Sequence, residues 1–169
     1  MVHPSDAAPA LVALDAKVHI EGPKGKREVP VGEFHVLPSK DPQKETVLEQ
    51  GELVTAVSVP PPAAGLRSSY RKVRARQSWD FALVGLALAV AMSAGKVTMA
   101  GVVLSGVAPA PWRLKDVEEF LTGRTLDPET IVLAADISLK RAKPMELNAY
   151  KMILLKGVME EELTALSAR

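Results

Sequence analysis

Apolar and polar residues alternate along much of the first two thirds of the chain, and this pattern predicts strands. Side chains of a strand point to opposite faces in turn, so a period of two is typical of a half-buried strand. The pattern occurs at residues 17–21, 27–31, 51–59 and 70–76. Two longer apolar runs, residues 81–92 and 97–107, are joined by a turn containing Gly95 and are predicted to form a hairpin. With residues 70–76 they are expected to form a three-stranded antiparallel sheet.

Helical signals occur near the beginning of the chain and through its last third. Residues 4–16 are predicted to form a helix that either Ser5 or Asp6 caps. Three more helices are predicted at residues 114–121, 127–142 and 147–166. The second of these begins with Asp127 and Pro128, the usual order of a capping residue and a first-turn proline. Strands and helices in separate runs predict an α+β fold, with the three-stranded sheet packed against the three later helices.

The last predicted helix has apolar residues at helical spacing. Its buried stripe is predicted to contain Leu147, Tyr150, Leu154 and Val158. Lys151 and Lys156 are placed on the outside of the same helix.

Residues 60–65 are the clearest break in composition. Three consecutive prolines, Pro60 to Pro62, cannot join a strand ladder and are followed closely by Gly65. We therefore predict a division into residues 1–60 and residues 65–169.

Charge and composition exclude several functional classes. The chain has 169 residues, a formal net charge of +1 and no cysteine. The charge does not indicate a nucleic-acid partner, and the absence of cysteine excludes a thiolate metal site or an iron–sulfur cluster within this chain. The longest apolar run is shorter than the ~20 residues of a membrane-spanning helix. Since the first residues also lack the features of a signal peptide, we expect no membrane association and a cytoplasmic location.

The sequence contains no recognisable catalytic constellation and no metal-ligand spacing, so neither catalytic nor metal-binding residues are predicted. His19 and His35 are isolated in the sequence and are interpreted as surface or core residues. Tyr70, Lys72, Arg74 and Arg76 are predicted to share one face of their strand. This cationic face has two interpretations, a solvated strand surface or a site for an anion or an electron-rich cofactor ring.

Four stretches resemble, in the same order, segments of one protein family. They are HPSDAAPALVALDA from His3, GELVTAVSVP from Gly51, YRKVRARQSWDFALVG from Tyr70 and GVVLSGVAPAPWRL from Gly101. The family is that of the FAD-binding medium subunits of xanthine dehydrogenase and carbon monoxide dehydrogenase, which are molybdenum hydroxylases. The resemblance covers essentially the whole chain. It implies that residues 1–60 are the tail of an FAD-binding α+β domain and that residues 65–169 are a carbon monoxide dehydrogenase flavoprotein C-terminal-like domain.

The resemblance also implies which residues contact the flavin. Asp6 corresponds to the family's flavin-contacting aspartate, and Val54 to an aliphatic residue against the flavin. Lys72 corresponds to a lysine near the isoalloxazine ring, with Arg71 as the alternative if the gap is placed differently. The family's glycine-rich pyrophosphate loops lie upstream of the helix that begins this chain, and residues 22–25 are predicted to be a hairpin turn instead. The chain is therefore expected to be a C-terminal part of a medium subunit, truncated or encoded by a split gene.

The resemblance implies a function in electron transfer. Molybdopterin and 2Fe–2S clusters are expected in partner subunits, namely a large molybdopterin-binding subunit and a small iron–sulfur subunit. FAD would pass electrons from the iron–sulfur clusters to an acceptor, with an N-terminal FAD-binding segment completing the cofactor site. The alternative is a non-catalytic interaction or assembly domain that keeps the fold without binding flavin.

Overall fold

A computed structural model of the protein describes residues 3–78 and 80–168, which form two antiparallel sheets and helices packed on them. The strands are β1 (Lys17–Gly22), β2 (Gly25–Pro30), β3 (Leu53–Ser58), β4 (Leu66–Val73), β5 (Val84–Ser93), β6 (Lys96–Ser105) and β7 (Trp112–Arg113). The helices are α1 (Ala7–Ala13), α2 (Val31–Phe34), α3 (Lys115–Leu121), α4 (Pro128–Ser138) and α5 (Tyr150–Ser167). The α+β class is confirmed. Among these residues, no helix is both long enough and apolar enough to span a membrane.

The first sheet has the strand order β2-β1-β3. The predicted hairpin is present: Gly22 pairs with Gly25, and the positive φ of Gly25 suits a tight reversal. Val18 and Ile20 of β1 are buried in one apolar cluster with Val12 and Ala13 of α1 and Val31 of α2.

The second sheet has the order β4-β5-β6-β7 and so contains one strand more than predicted. Strand β7 has two residues, and Trp112 pairs with Leu104 of β6. A strand this short produces no periodic pattern, which is why the sequence did not reveal it. The predicted hairpin of β5 and β6 is confirmed, with Ala94 and Gly95 both at positive φ, as its two-residue turn requires.

Strand β4 ends at Val73, so the predicted strand at residues 70–76 is wrong in its second half. The Leu83 N–H donates to the Val73 carbonyl at 2.8 Å, and residues 74–78 and 80–82 lie outside any strand or helix. Arg74 and Arg76 therefore do not continue the cationic face of the strand.

The main core lies between the second sheet and helices α3, α4 and α5. Alternate residues of β5 point into it, namely Leu86, Leu88 and Val90. The predicted stripe of α5 is wrong at its beginning, because Leu147 is 88% and Tyr150 47% exposed. The buried face of α5 is formed by Leu155, Val158, Met159, Leu163 and Leu166. Its centre is roughly a third of a turn away from that of the predicted stripe, since consecutive residues are about 100° apart on a helix, and Val158 belongs to both.

Helix α1 packs on the other face of the second sheet, where β5 presents the small residues Ala87 and Ala89. They form one buried cluster with Val12 and Ala13 of α1. Both faces of β5 are thus covered, which explains its continuous apolar sequence. The cluster joins residues on either side of the proline-rich segment. The division into residues 1–60 and 65–169 as separately folding units stays a prediction.

Gly101 of β6 lies directly against the end of α1. A Cβ atom on Gly101 would lie 2.3 Å from the carbonyl oxygen of Ala13, and backbone cannot retreat as a flexible side chain can. We expect Gly101→Ala to displace α1 and to lower the free energy of unfolding by about 1–3 kcal/mol. Urea denaturation would measure this loss.

Gly157→Ala is the control for that substitution. Its Cβ would meet nothing within 4 Å, and alanine favours the helical conformation of α5. It should leave stability unchanged or raise it. Equal stability of the Gly101→Ala variant and the wild-type protein would contradict the close approach.

Candidate functional site

Asp6 joins the beginning of α1 to the middle of β4. Its Oδ1 accepts a hydrogen bond from the Tyr70 hydroxyl at 2.9 Å, and its Oδ2 accepts one from Lys72 Nζ at 2.7 Å. Tyr70 and Lys72 are two positions apart on β4 and therefore share a face of the strand. The structure thus brings Asp6 and Lys72, two of the residues predicted to contact a flavin, into direct contact.

Ser5, rather than Asp6, caps helix α1 with its side chain. Ser5 Oγ accepts the Ala8 N–H at 3.0 Å, whereas the Asp6 side chain makes no capping bond. The sequence left these two residues as alternatives, and the interpretation of Asp6 as the side-chain cap is wrong. Its carboxylate is turned to β4, where a cation and a phenol offer stronger donors than a backbone amide.

The charges at the site shift two pKa values in opposite directions. Burial opposes ionisation of Asp6, but hydrogen bonds from Lys72 and Tyr70 overcome it and hold the pKa of Asp6 below its ordinary value. Lys72 and Arg74 add electrostatic attraction that lowers the same pKa. Burial raises the pKa of Tyr70 to about 12, and its hydrogen bond to Asp6 acts in the same direction. Near neutral pH Asp6 is therefore a carboxylate and Tyr70 a protonated phenol.

Asp6 also borders a cleft of about 340 Å³. The cleft is lined by His3, Pro4, Ser5, Asp6, Phe81, Ala82, Ser105, Gly106 and Lys151. Phe81 is 71% exposed, which leaves an aromatic surface accessible beside the Asp6 carboxylate.

Lys151 is a site residue that sequence reasoning missed. It was placed on the outside of the last helix, but its Nζ donates to the Gly106 carbonyl at 2.7 Å, and burial lowers the pKa of Lys151. Helical periodicity separates the two sides of a helix but does not show which loop lies beside its first turn. The sequence therefore carried no signal for this contact.

Arg71, the alternative to Lys72, points away from Asp6. Its Nη2 lies 3.5 Å from Glu161 Oε1 of α5, and both side chains are about half exposed. Neighbouring residues of a strand face opposite ways, so Arg71 and Lys72 cannot both face Asp6.

Val54 lies on β3 of the other sheet and is not among the residues that line the cleft. The β1–β3 pairing shifts between His19 and Ile20, so that β3 carries an extra residue, Thr55. Val54 faces the same side as Ile20, and Val57 the same side as Val18. Strict alternation predicts that Val54 and Val57 lie on opposite faces, and the bulge makes that prediction wrong. Both valines remain close to half exposed.

His19 and His35 are isolated in the sequence, but in the structure each lies close to another polar or aromatic side chain. His19 Nε2 lies 2.7 Å from Ser58 Oγ, and the His35 ring packs against the His3 ring at a centroid distance of 4.3 Å. Burial lowers the pKa values of both His3 and His35. Within residues 3–78 and 80–168, no cluster of three or more histidine and acidic side chains could bind a metal ion.

Two family models match the chain. The CO dehydrogenase flavoprotein C-terminal domain matches residues 38–163, and the FAD binding domain in molybdopterin dehydrogenase matches residues 1–62. The aldehyde oxidoreductase FAD-binding subunit PaoB of Escherichia coli (strain K12) is 37% identical over 168 residues, covering 99% of this chain and 49% of that protein. The carbon monoxide dehydrogenase medium chain of Hydrogenophaga pseudoflava is 31% identical over 172 residues, covering 99% of this chain and 58% of that protein. The chain spans about half the length of these relatives.

Solved structures share the fold. A carbon monoxide dehydrogenase from Hydrogenophaga pseudoflava, which lacks the Mo-pyranopterin moiety of the molybdenum cofactor, superimposes with a TM-score of 0.83 at 30% identity. The match covers 95% of this chain and 55% of that chain. Quinoline 2-oxidoreductase from Pseudomonas putida 86 superimposes with a TM-score of 0.80 at 25% identity, covering 98% of this chain and 58% of that chain.

Proposed function

The chain belongs to the CO dehydrogenase flavoprotein C-terminal domain family, and on this premise we propose that it is part of the FAD-binding subunit of a molybdenum hydroxylase-type oxidoreductase. Its relatives include the FAD-binding subunits of an aldehyde oxidoreductase and a xanthine dehydrogenase and the medium chain of a carbon monoxide dehydrogenase. In this proposal the chain forms one wall of the flavin site.

The observation that carries the proposal is the contact between Asp6 and Lys72. These residues are 66 positions apart, and the fold joins them at 2.7 Å beside a cleft with an exposed aromatic ring. A flavin ring presents hydrogen-bonding atoms along its edge and a flat apolar surface. The Asp6 carboxylate and the Lys72 ammonium suit the hydrogen-bonding edge of the ring, and Phe81 suits its flat surface. The residues present therefore fit a flavin ring.

FAD, when bound, supplies reversible electron transfer. Lys72 places a fixed positive charge at the site, and such a charge favours any negative charge that develops next to it. The ammonium has three donors, and among the described residues Asp6 is the one partner it contacts. Asp6 holds the Lys72 side chain in position. Val54 and Val57 offer an apolar surface on the neighbouring sheet.

The part of the chain that the structure describes offers no glycine-rich loop to bind the pyrophosphate of FAD. Residues 22–25 join β1 to β2 in a hairpin, so they do not form the strand-to-helix cradle in which backbone N–H groups bind phosphates. We place the pyrophosphate on an N-terminal FAD-binding segment outside these 169 residues. A large molybdopterin-binding subunit and a small 2Fe–2S subunit would complete the enzyme, in which electrons pass from the iron–sulfur clusters through FAD to an acceptor.

The proposal is tested by producing the chain with and without its proposed partners. The chain would be expressed together with a glycine-rich FAD-binding segment and the two proposed partner subunits. We expect co-purification with about one FAD per chain, seen by its visible absorbance. The chain alone should retain no FAD, because several charge-assisted hydrogen bonds to the pyrophosphate, each worth about 1.5–3 kcal/mol, would be missing.

Two results would count against this function. A complex that assembles without flavin would favour an interaction or assembly domain that has kept the fold. Stoichiometric FAD on the chain alone would show that the pyrophosphate is held by residues other than those we assign.

A further inference from the structure

We propose that Tyr70 is a positioning residue that sets the orientation of the Asp6 carboxylate and thereby the place of the Lys72 charge. Tyr70 would not itself contact the cofactor. The inference rests on the proposed flavin site and deepens it, because it adds the half-buried Tyr70 and the buried Ser105 behind Asp6 and Lys72.

The two oxygens of Asp6 have separate partners. Oδ1 accepts from the Tyr70 hydroxyl at 2.9 Å, while Oδ2 accepts from Lys72 Nζ at 2.7 Å. The terminal torsion of an aspartate is broad, so a carboxylate with one partner can rotate. A second fixed donor removes that freedom. The phenol therefore determines which way the oxygen that holds Lys72 points.

The phenol itself is held from behind. Its oxygen lies 3.3 Å from Ser105 Oγ, and Ser105 is buried on β6. Gly85 of β5 is the partner of both Lys72 and Ser105 in the strand register. A Cβ on Gly85 would lie 2.1 Å from Ser105 Oγ and 3.0 Å from the Tyr70 hydroxyl. Glycine at this position leaves the space in which the two hydroxyls meet.

Tyr70 remains a donor across the physiological range. Burial raises the pKa of Tyr70 to about 12, so its hydroxyl keeps its proton. The bond from Tyr70 in turn contributes to lowering the pKa of Asp6. The phenol thus affects a property of Asp6 that can be measured with no cofactor present.

The first test measures the Asp6 pKa by NMR titration of its carboxyl carbon in the 169-residue chain. We expect Tyr70→Phe, which keeps the ring, to raise the Asp6 pKa by about half a unit or more. Ser105→Ala, which leaves Tyr70 intact but frees its hydroxyl, should give a smaller shift of the same sign and serves as a second measurement. Tyr150→Phe is the matched control, because Tyr150 is the chain's other tyrosine and lies half exposed on α5. An Asp6 pKa unchanged in both Tyr70→Phe and Ser105→Ala would overturn the inference.

The second test uses the FAD-containing complex. Tyr70→Phe should weaken FAD binding about three- to tenfold, in the same direction as Asp6→Asn but by less. A purely structural role would lower the melting temperature and leave both FAD affinity and the Asp6 pKa unchanged. If Asp6→Asn has no effect on FAD, the proposed flavin site fails, whatever the NMR titration shows. If Asp6→Asn weakens FAD binding but Tyr70→Phe alters neither quantity, the positioning role of Tyr70 fails alone.

Discussion

Arg113→Ala is expected to lower the free energy of unfolding by about 2–4 kcal/mol, the largest loss of stability that we predict for a single side chain. Arg113 Nε donates to both carboxylate oxygens of Glu118, at 2.8 and 3.0 Å, and Nη1 bonds to Asp15. Glu118 also accepts the Val102 N–H at 2.8 Å, and its side chain is 12% exposed. Removing the guanidinium would leave this carboxylate largely buried without its cation.

Urea denaturation at neutral pH would measure the effect. Lys24→Ala is a control, because the Lys24–Glu49 pair is exposed and screened by solvent, so its loss should hardly change stability. Arg113→Lys should lose an intermediate amount, since an ammonium cannot reproduce the planar fork of donors that reaches both acids. If Arg113→Ala costs no more than Lys24→Ala, the network does not stabilise the fold as we describe.

Lys72→Met is expected to lower the flavin reduction potential in the assembled complex while leaving the fold intact. A unit charge at ~4 Å with an effective dielectric constant near 20 is worth at most about 4 kcal/mol. Asp6, at 2.7 Å from Lys72, cancels part of this field, so the observed change should be well below that limit. In the proposed enzyme, electron delivery to the acceptor should slow, and chemistry at the molybdenum centre of the proposed partner subunit should be unaffected.

The controls for Lys72→Met are one lysine variant, Lys44→Met, and one arginine variant, Arg71→Met. Lys44→Met removes an exposed loop charge and should change nothing. Arg71→Met should also leave the potential unchanged, because Arg71 faces Glu161 on the other side of β4. A shift caused by Arg71→Met and not by Lys72→Met would show that Arg71 is the residue next to the ring. If neither Lys72→Met nor Arg71→Met shifts the potential, the cationic residues of β4 form an ordinary solvated strand surface.

The sequence predicted those parts of the fold that local patterns determine. The hairpin of β5 and β6 was predictable because two β-branched and apolar runs flank a glycine turn. The beginning of α4 was predictable because Asp127 and Pro128 provide a cap and a first-turn proline, and Asp127 does accept the Thr130 N–H.

Other features depend on contacts between distant residues and left no local signal. The alternation of residues 70–76 continues past Val73, but the strand ends there, where the Val73 carbonyl accepts the Leu83 N–H. Asp6 was identified through the family resemblance alone. Its partner Tyr70, and Lys151 beside the cleft, emerge once α1, β4 and α5 have packed. Leu147 belongs to an apolar stripe by spacing but is exposed, because periodicity does not reveal which stripe faces the core.

The bulge in β3 has an evolutionary consequence. Thr55 has no paired residue in the register of β1, although its hydroxyl donates to the His19 carbonyl at 3.3 Å. It separates Val54 from Val57 by three positions while both face the same side. A relative that lacks a residue at position 55 would carry the two valines as ordinary alternate neighbours in a flat strand, still on that side. A deletion at any position between Val57 and Pro60 would instead shift the chain entering the proline segment. Within this strand, natural differences in length among family members should therefore be concentrated at Thr55.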